Sequence, residues 1–92
     1  MPYHAVYHAD VTALDLPRIN RNIQRRILRA IETRLLASPE HYGDPLTGNL
    51  AGYWKLRSGD YRIVFKVTGS EIYIYTIRHR KDAYTEILKR VS

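Results

Sequence analysis

Apolar residues recur along the chain in two rhythms, and each predicts a kind of element. Ile19, Ile23, Ile27, Ile31 and Leu35 return every fourth residue, with Leu28 and Ala30 beside them, so an amphipathic helix is expected to about Leu36. Asp10, Val11 and Thr12 offer an earlier helix start, Pro17 suits the first turn of the longer helix, and Ser38-Pro39 ends it. Residues 3–8, YHAVYH, are rich in β-formers and read as a short strand. Residues 38–52, SPEHYGDPLTGNLAG, hold two prolines and three glycines and read as one ordered loop, with Leu46 and Leu50 tucked under the core.

Period-two alternation then takes over. YWKLR (53–57) sets Trp54 and Leu56 against Tyr53, Lys55 and Arg57, and Ser58-Gly59 offers a tight hairpin turn. DYRIVFKV (60–67) sets Tyr61, Ile63, Phe65 and Val67 against Arg62, Val64 and Lys66. After a turn at Gly69, EIYIYTI (71–77) is apolar on both faces, the pattern of an interior strand. A closing helix is expected from about Lys81 to Val91. The order β-α-α-β-β-β-α predicts a small α+β fold in one domain over residues 1–92, with an antiparallel sheet, two N-terminal helices on one face and a short C-terminal helix.

This pattern has a chemical consequence. If Trp54, Leu56, Ile63 and Phe65 face the long helix, Lys55, Arg57, Arg62 and Lys66 project from the opposite face. The last strand runs without a break into Arg78-His79-Arg80-Lys81-Asp82-Ala83-Tyr84, so Arg78 and His79 are expected at the rim of that basic face, with Tyr84 returning near it.

The 92 residues suffice for a modest core, and 45% are hydrophobic. There is no cysteine, which excludes disulfide and thiol chemistry. No secretory signal and no membrane-length apolar run is visible, so a cytoplasmic protein without membrane association is expected. The net charge is +6 with a pI near 9.8, a footprint of nucleic-acid binding or of an acidic partner. Residues 1–52 hold six arginines against five acids, whereas residues 53–92 hold nine Lys and Arg against four, so the C-terminal part is expected to carry the basic surface. Arg18, Arg21, Arg25 and Arg29 read most simply as a solvated helix face.

Metal-free RNA cleavage needs a group to help deprotonate a 2′-hydroxyl, cations to hold the charge developing at phosphorus, and a proton for the leaving 5′-oxygen. Arginine forks suit the phosphate, Lys55 or His79 could move protons, and tyrosine can stack on a base. No paired carboxylates suggest a two-metal nuclease, and His4 and His8 would lie about 13 Å apart along a strand, too far to share a metal. No cofactor is expected. The residues alone thus give a basic, partly aromatic face without a metal site.

LTGNLAGYWKLRSGDYRIVFKVTGSEIYIYTIRHRKDAYTEILKRV, read with the strand, helices and SPE loop before it, resembles the RelE/ParE superfamily of bacterial type II toxins across essentially the whole chain. Its most specific parts are the KLRSGDYRIVF hairpin and the RHRKDAY close. The resemblance to the RelE branch implies a ribosome-dependent mRNA interferase that cuts A-site codons with the substrate's own 2′-hydroxyl. On matching positions, Lys55 is implied as proton acceptor or electrostatic stabiliser, and Arg62 as the phosphate holder. Arg78 would stabilise charge at the leaving oxygen, and Tyr84 would orient a nucleotide. Tyr53, Arg57, Arg80 and Lys81 are expected to bind RNA. The best-known RelE pattern has a further lysine where this chain has Tyr53, which makes His79 a rival for proton transfer.

The same resemblance implies partners: a cognate acidic RelB-like antitoxin that folds as it binds, the 70S ribosome with its mRNA, and promoter DNA only through the antitoxin. The antitoxin is expected to displace the last helix or to cover the basic face. Two other functions compete, a ParE-like inhibitor of DNA gyrase without nuclease activity and an inactive relative that only binds a partner.

Overall fold

A computed structural model describes residues 3–91; the outermost residues of the expected domain, 1, 2 and 92, lie outside it. Strand β1 spans His4–Tyr7 and is followed by a π-type turn at Val11–Asp15 and a 3-10 turn at Leu16–Arg18. Helix α1 covers Arg21–Ala30, continued by a second π-type turn over Ile31–Leu35. A one-turn helix α2 (Pro39–Tyr42), a two-residue strand β2 (Asp44–Pro45) and a 3-10 turn (Gly48–Leu50) lie within the expected loop. Strands β3 (Trp54–Ser58), β4 (Tyr61–Thr68) and β5 (Glu71–His79) then lead to helix α3 (Ala83–Val91).

The sheet is mixed, in the order β1-β5-β4-β3-β2. β1 runs parallel to β5 with His4 opposite Glu71, while the other neighbours are antiparallel, so the expectation of an antiparallel sheet holds for β2 to β5 only. The difference follows from connectivity: the helical stretch after β1 carries the chain across the sheet before β3, a crossover that alternation within single strands cannot register. Pro17 falls in the 3-10 turn, and α1 is instead capped by Asn20, whose side chain accepts a hydrogen bond from the Asn22 N–H at 2.9 Å. The Gln24 amide ties the two helical pieces together by donating to the Leu16 and Ile19 carbonyls at 2.6 and 2.9 Å.

One face of the sheet packs on α1. Ile27, Ile31 and Leu35 meet Leu56, Ile63, Phe65, Ile72, Ile74 and Ile77, all buried, as the alternation predicts. A second cluster lies on the opposite face, where Val64, Leu50 and Ile87 are buried with Leu46, Tyr53, Tyr75, Tyr84 and Val91 against them. The two loop leucines are therefore under the core as expected, but that core belongs to α3. A bulge in β5 separates the two halves of the strand: Val64 faces Thr76 and Phe65 faces Ile74, so Tyr75 is the extra residue. Ile72, Ile74 and Ile77 can all reach the α1 side because the bulge resets the alternation between 74 and 77.

Gly43 lets the loop cross close over this core. A Cβ there would stand 2.7 Å from Phe65 Cζ and 2.9 Å from the Pro39 carbonyl oxygen, too close for both. Gly43→Ala is expected to lower unfolding free energy by about 1–3 kcal/mol in urea titration, whereas a change within a few tenths would show that the loop yields freely.

Candidate functional site

The outward face of the sheet carries a row of three arginines. Arg57 lies opposite Arg62, and Arg62 opposite Arg78, on the adjacent strands β3, β4 and β5. Like charges directly across a ladder destabilise it, so each needs compensation. Arg62 curls back so that Nη1 donates to the carbonyls of Gly59 and Tyr61 at 3.1 and 3.0 Å, and the residue is only 8% exposed. Arg57 is exposed and, like Arg62, has no ion pair among the described residues.

Arg78 is compensated by carboxylates. Its Nε donates to Asp15 Oδ1 at 2.6 Å, and its Nη1 lies 3.8 and 3.6 Å from Asp82 and Glu86. Asp15 is fully buried beside β5, in the gap left where β1 ends at Tyr7, and there it accepts the Ile77 N–H at 2.9 Å. The same carboxylate takes both Nη atoms of Arg90 from α3 at 2.7 Å, while Arg90 Nη1 also reaches the Tyr75 carbonyl at 2.8 Å. Burial alone would raise the Asp15 carboxyl, but hydrogen bonds from Arg90, the Ile77 N–H and Arg78 outweigh it and hold it below the ordinary 3.8. The hydrogen bonds to Asp15 raise Arg90 in turn, against the opposing effect of burial.

Lys55 and Tyr84 are brought together as expected, with Nζ 5.9 Å from the ring centroid. The last helix crosses the middle of the basic face, where Tyr84, Ile87 and Val91 seat α3 on Val64. His79 is displaced from its expected place. It lies opposite Tyr61 with the rings 5.8 Å apart, on the α1 side of the sheet, because residues 78 and 79 point to opposite faces. There it lines a recess of ≈ 120 Å³ with Asp15, Arg18, Tyr61, Arg78 and Asp82, and its Nδ1 accepts the Lys81 N–H at 3.2 Å.

Arg80 and Lys81 sit exposed in the turn after β5, the Arg80 N–H being held by the Asp60 carbonyl at 2.7 Å. Tyr53 shares the outward face but lies four residues along β3 from Arg57, about 13 Å away, at the other end. It belongs to an aromatic cluster that sequence reading misses: Tyr75 is centred 5.3 Å from Tyr53 and 4.7 Å from Tyr73, and Lys66 Nζ lies 4.8 Å over Tyr53. Desolvation, then its tyrosine neighbours, push the Tyr75 hydroxyl up. Asp15 and Arg90 are missed as well. Their sole sequence signal is an acid inside the apolar ALDL run and an arginine on the apolar side of a terminal helix.

Three buried side-chain atoms lack a hydrogen bond among the described residues, namely Thr76 Oγ1, Asp82 Oδ1 and Arg90 Nε. All three lie at the junction of α3 with β5. Arg90 Nε is 3.3 Å from the Glu86 carboxylate, close enough for charge attraction without a hydrogen bond. The seat of α3 is held by ions more than by a complete hydrogen-bond set.

Comparison with known proteins agrees with this arrangement. The family model for the ParE toxin of type II toxin–antitoxin systems, parDE, matches residues 9–84. The toxin RelE of Mycobacterium tuberculosis is 32% identical over 85 residues, covering 90% of this chain and 87% of that protein. The RelBE2 toxin–antitoxin complex of the same organism superposes with a TM-score of 0.80 at 24% identity, over 87% of this chain and 100% of the other. The RelB–RelE complex of Methanococcus jannaschii gives a TM-score of 0.68 at 25% identity, over 88% and 96%. No helix among the described residues is long and apolar enough to cross a membrane.

Removing one partner from a buried ion pair strands the other, so Asp15→Asn is expected to cost about 3–5 kcal/mol of unfolding free energy. The pH dependence has a fixed sign. A carboxyl held below 3.8 contributes fully above that value and loses its contribution as pH falls through the lower folded value. Acid titration followed by circular dichroism should therefore show wild-type stability falling below about pH 4, with a shallower fall in Asp15→Asn; parallel curves would remove Asp15 from the account.

Proposed function

The chain belongs to the RelE/ParE superfamily of type II toxins, and from that premise we propose that it is a ribosome-dependent mRNA endoribonuclease, cutting A-site codons in the cytoplasm. The observation that carries this reading is the arginine row with Lys55 and Tyr84 beside it. Two of its three arginines have no carboxylate partner among the described residues, a destabilising arrangement that local stability does not explain.

In this reading the 2′-oxygen of the substrate attacks phosphorus and the bond to the 5′-oxygen breaks. Lys55 accepts the hydroxyl proton or stabilises the charge that replaces it. Arg62 and Arg57 hold the phosphate oxygens, with charge-assisted forks suited to an in-line displacement. Arg78 stabilises the departing 5′-oxygen, exchanging its looser contacts at 3.6 and 3.8 Å for phosphate while Asp15 keeps its Nε fixed. Tyr84 supports a base. Arg80, Lys81 and Tyr53 extend the RNA contact, whereas His79, on the other side of β5, leaves the proton transfer to Lys55. The partner is an acidic antitoxin, as in the RelB–RelE assemblies of the relatives, and any contact with promoter DNA runs through it.

A second reading, inhibition of DNA gyrase by protein contact, is favoured by the ParE family match and by the engagement of Arg78 with three carboxylates. Controlled expression followed by mapping of new 5′ ends on cellular mRNA separates the two. Wild type should give in-frame, translation-dependent cuts, and Lys55→Ala and Arg62→Ala should reduce them by about 100-fold or more, the scale of removing one such charge-stabilising group. Growth arrest without cuts, accompanied by gyrase inhibition in vitro, overturns the nuclease reading.

A further inference from the structure

A second store of positive charge without ion pairs among the described residues lies away from the outward face. Residues 16–39 contain six arginines, no lysine and a single acid, Glu32, and that acid acts on the Tyr7 hydroxyl of β1 at the opposite edge of the sheet from the β3–β4 hairpin. Two adjoining recesses open on the hairpin side. One of ≈ 270 Å³ is lined by Arg26, Arg29 and Arg34 together with Arg57 and Ser58 of the hairpin. The next, ≈ 290 Å³, is lined by Asn22, Arg25 and again Arg26 and Arg29. None of these five arginines has an ion pair among the described residues, and Asp60 at the hairpin tip lines neither recess.

The lining says which anion fits. Beyond the arginines, whose aliphatic stems supply most of its apolar surface, it offers Thr33, Ser58 and the Gly59 backbone, with Ala30 as its sole apolar side chain and no aromatic ring. An acidic protein segment that orders on binding needs apolar anchors to offset its lost entropy, and there is no pocket for one. A phosphodiester strand needs forks and hydroxyls and no such pocket. Successive arginines on α1 at three- and four-residue spacing stand about 5–6 Å apart, an array that can follow a backbone. A concave recess also receives one strand, whereas a duplex would require a protruding element.

We propose that the recess between α1 and the β3–β4 hairpin is a docking site for the phosphodiester backbone of single-stranded RNA, read without base specificity. It shares only Arg57 with the outward row and does not depend on the cleavage reading, since it concerns binding alone.

Fluorescence anisotropy of a labelled 2′-O-methyl RNA oligonucleotide, which cannot be cut by 2′-hydroxyl attack, tests this independently of catalysis. Five arginines at about −0.7 per neutralised phosphate set a log–log salt slope near −3.5, or about a 100-fold loss of affinity between about 50 and 200 mM salt. Arg26→Glu/Arg29→Glu should weaken binding at least about tenfold and flatten the slope by about 1.4, while Arg21→Glu, on α1 outside both recesses, should change it less than about threefold. The neutral pair Arg29→Gln/Arg34→Gln should shift both readouts in the same direction, so poor folding of the charge-reversed variant would not decide the outcome. Unchanged RNA affinity in both double variants overturns the site. Equal or tighter binding of duplex DNA overturns the assignment to single-stranded RNA. Loss of an acidic peptide's binding with RNA affinity intact makes the recess a protein site and defeats the proposal.

Discussion

A single buried carboxylate, Asp15, joins three parts of the chain that are far apart in sequence. It caps the free edge of β5 through the Ile77 N–H, pairs with Arg90 at the end of α3, and draws Arg78 out of the arginine row. Without it α3 would rest on the second core by Ile87 and its partly buried neighbours alone, a small apolar contact for a helix of nine residues. With it, the helix is fixed over the middle of the outward face. The arrangement of that face depends on this contact.

The contact also redistributes charge. The C-terminal part has the greater excess of basic residues, yet two of its arginines, Arg78 and Arg90, are bound to carboxylates. The N-terminal part is nearly neutral by count, yet the arginines along α1 stand without ion pairs among the described residues, while Asp15 is turned inward and Glu32 toward β1. Counting charges by segment therefore misses the second basic surface along α1. What matters is which acids the fold brings to which bases, and Asp15 meets its partners across 63 and 75 positions of sequence.

The fold was legible in the chain where periodicity alone decides burial. The isoleucine ladder of α1 and the alternation of β3 and β4 place Ile27, Ile31, Leu56, Ile63 and Phe65 correctly in the core. Legibility ends where neighbours decide. The parallel pairing of β1 depends on a crossover, and the β5 bulge puts both Tyr75 and Thr76 on one side, which no two-residue rhythm can anticipate. At the site, the row Arg57–Arg62–Arg78 and the approach of Lys55 to Tyr84 were readable, and so, by strand alternation, was the placement of His79 on the other face, whereas the near-complete burial of Arg62 was not. The docking of the last helix was not readable either, because it rests on an ion pair that its local sequence hardly announces.

The three unsatisfied atoms at the α3 seam fit a helix that is clamped rather than fully bedded. The most direct test of that claim is amide hydrogen exchange in wild type and in Asp15→Asn under native conditions. If Asp15 is the clamp, residues 83–91 lose protection in the variant by far more than β4 and the first half of β5. Unchanged protection in α3, or an equal loss across the whole sheet, would contradict it.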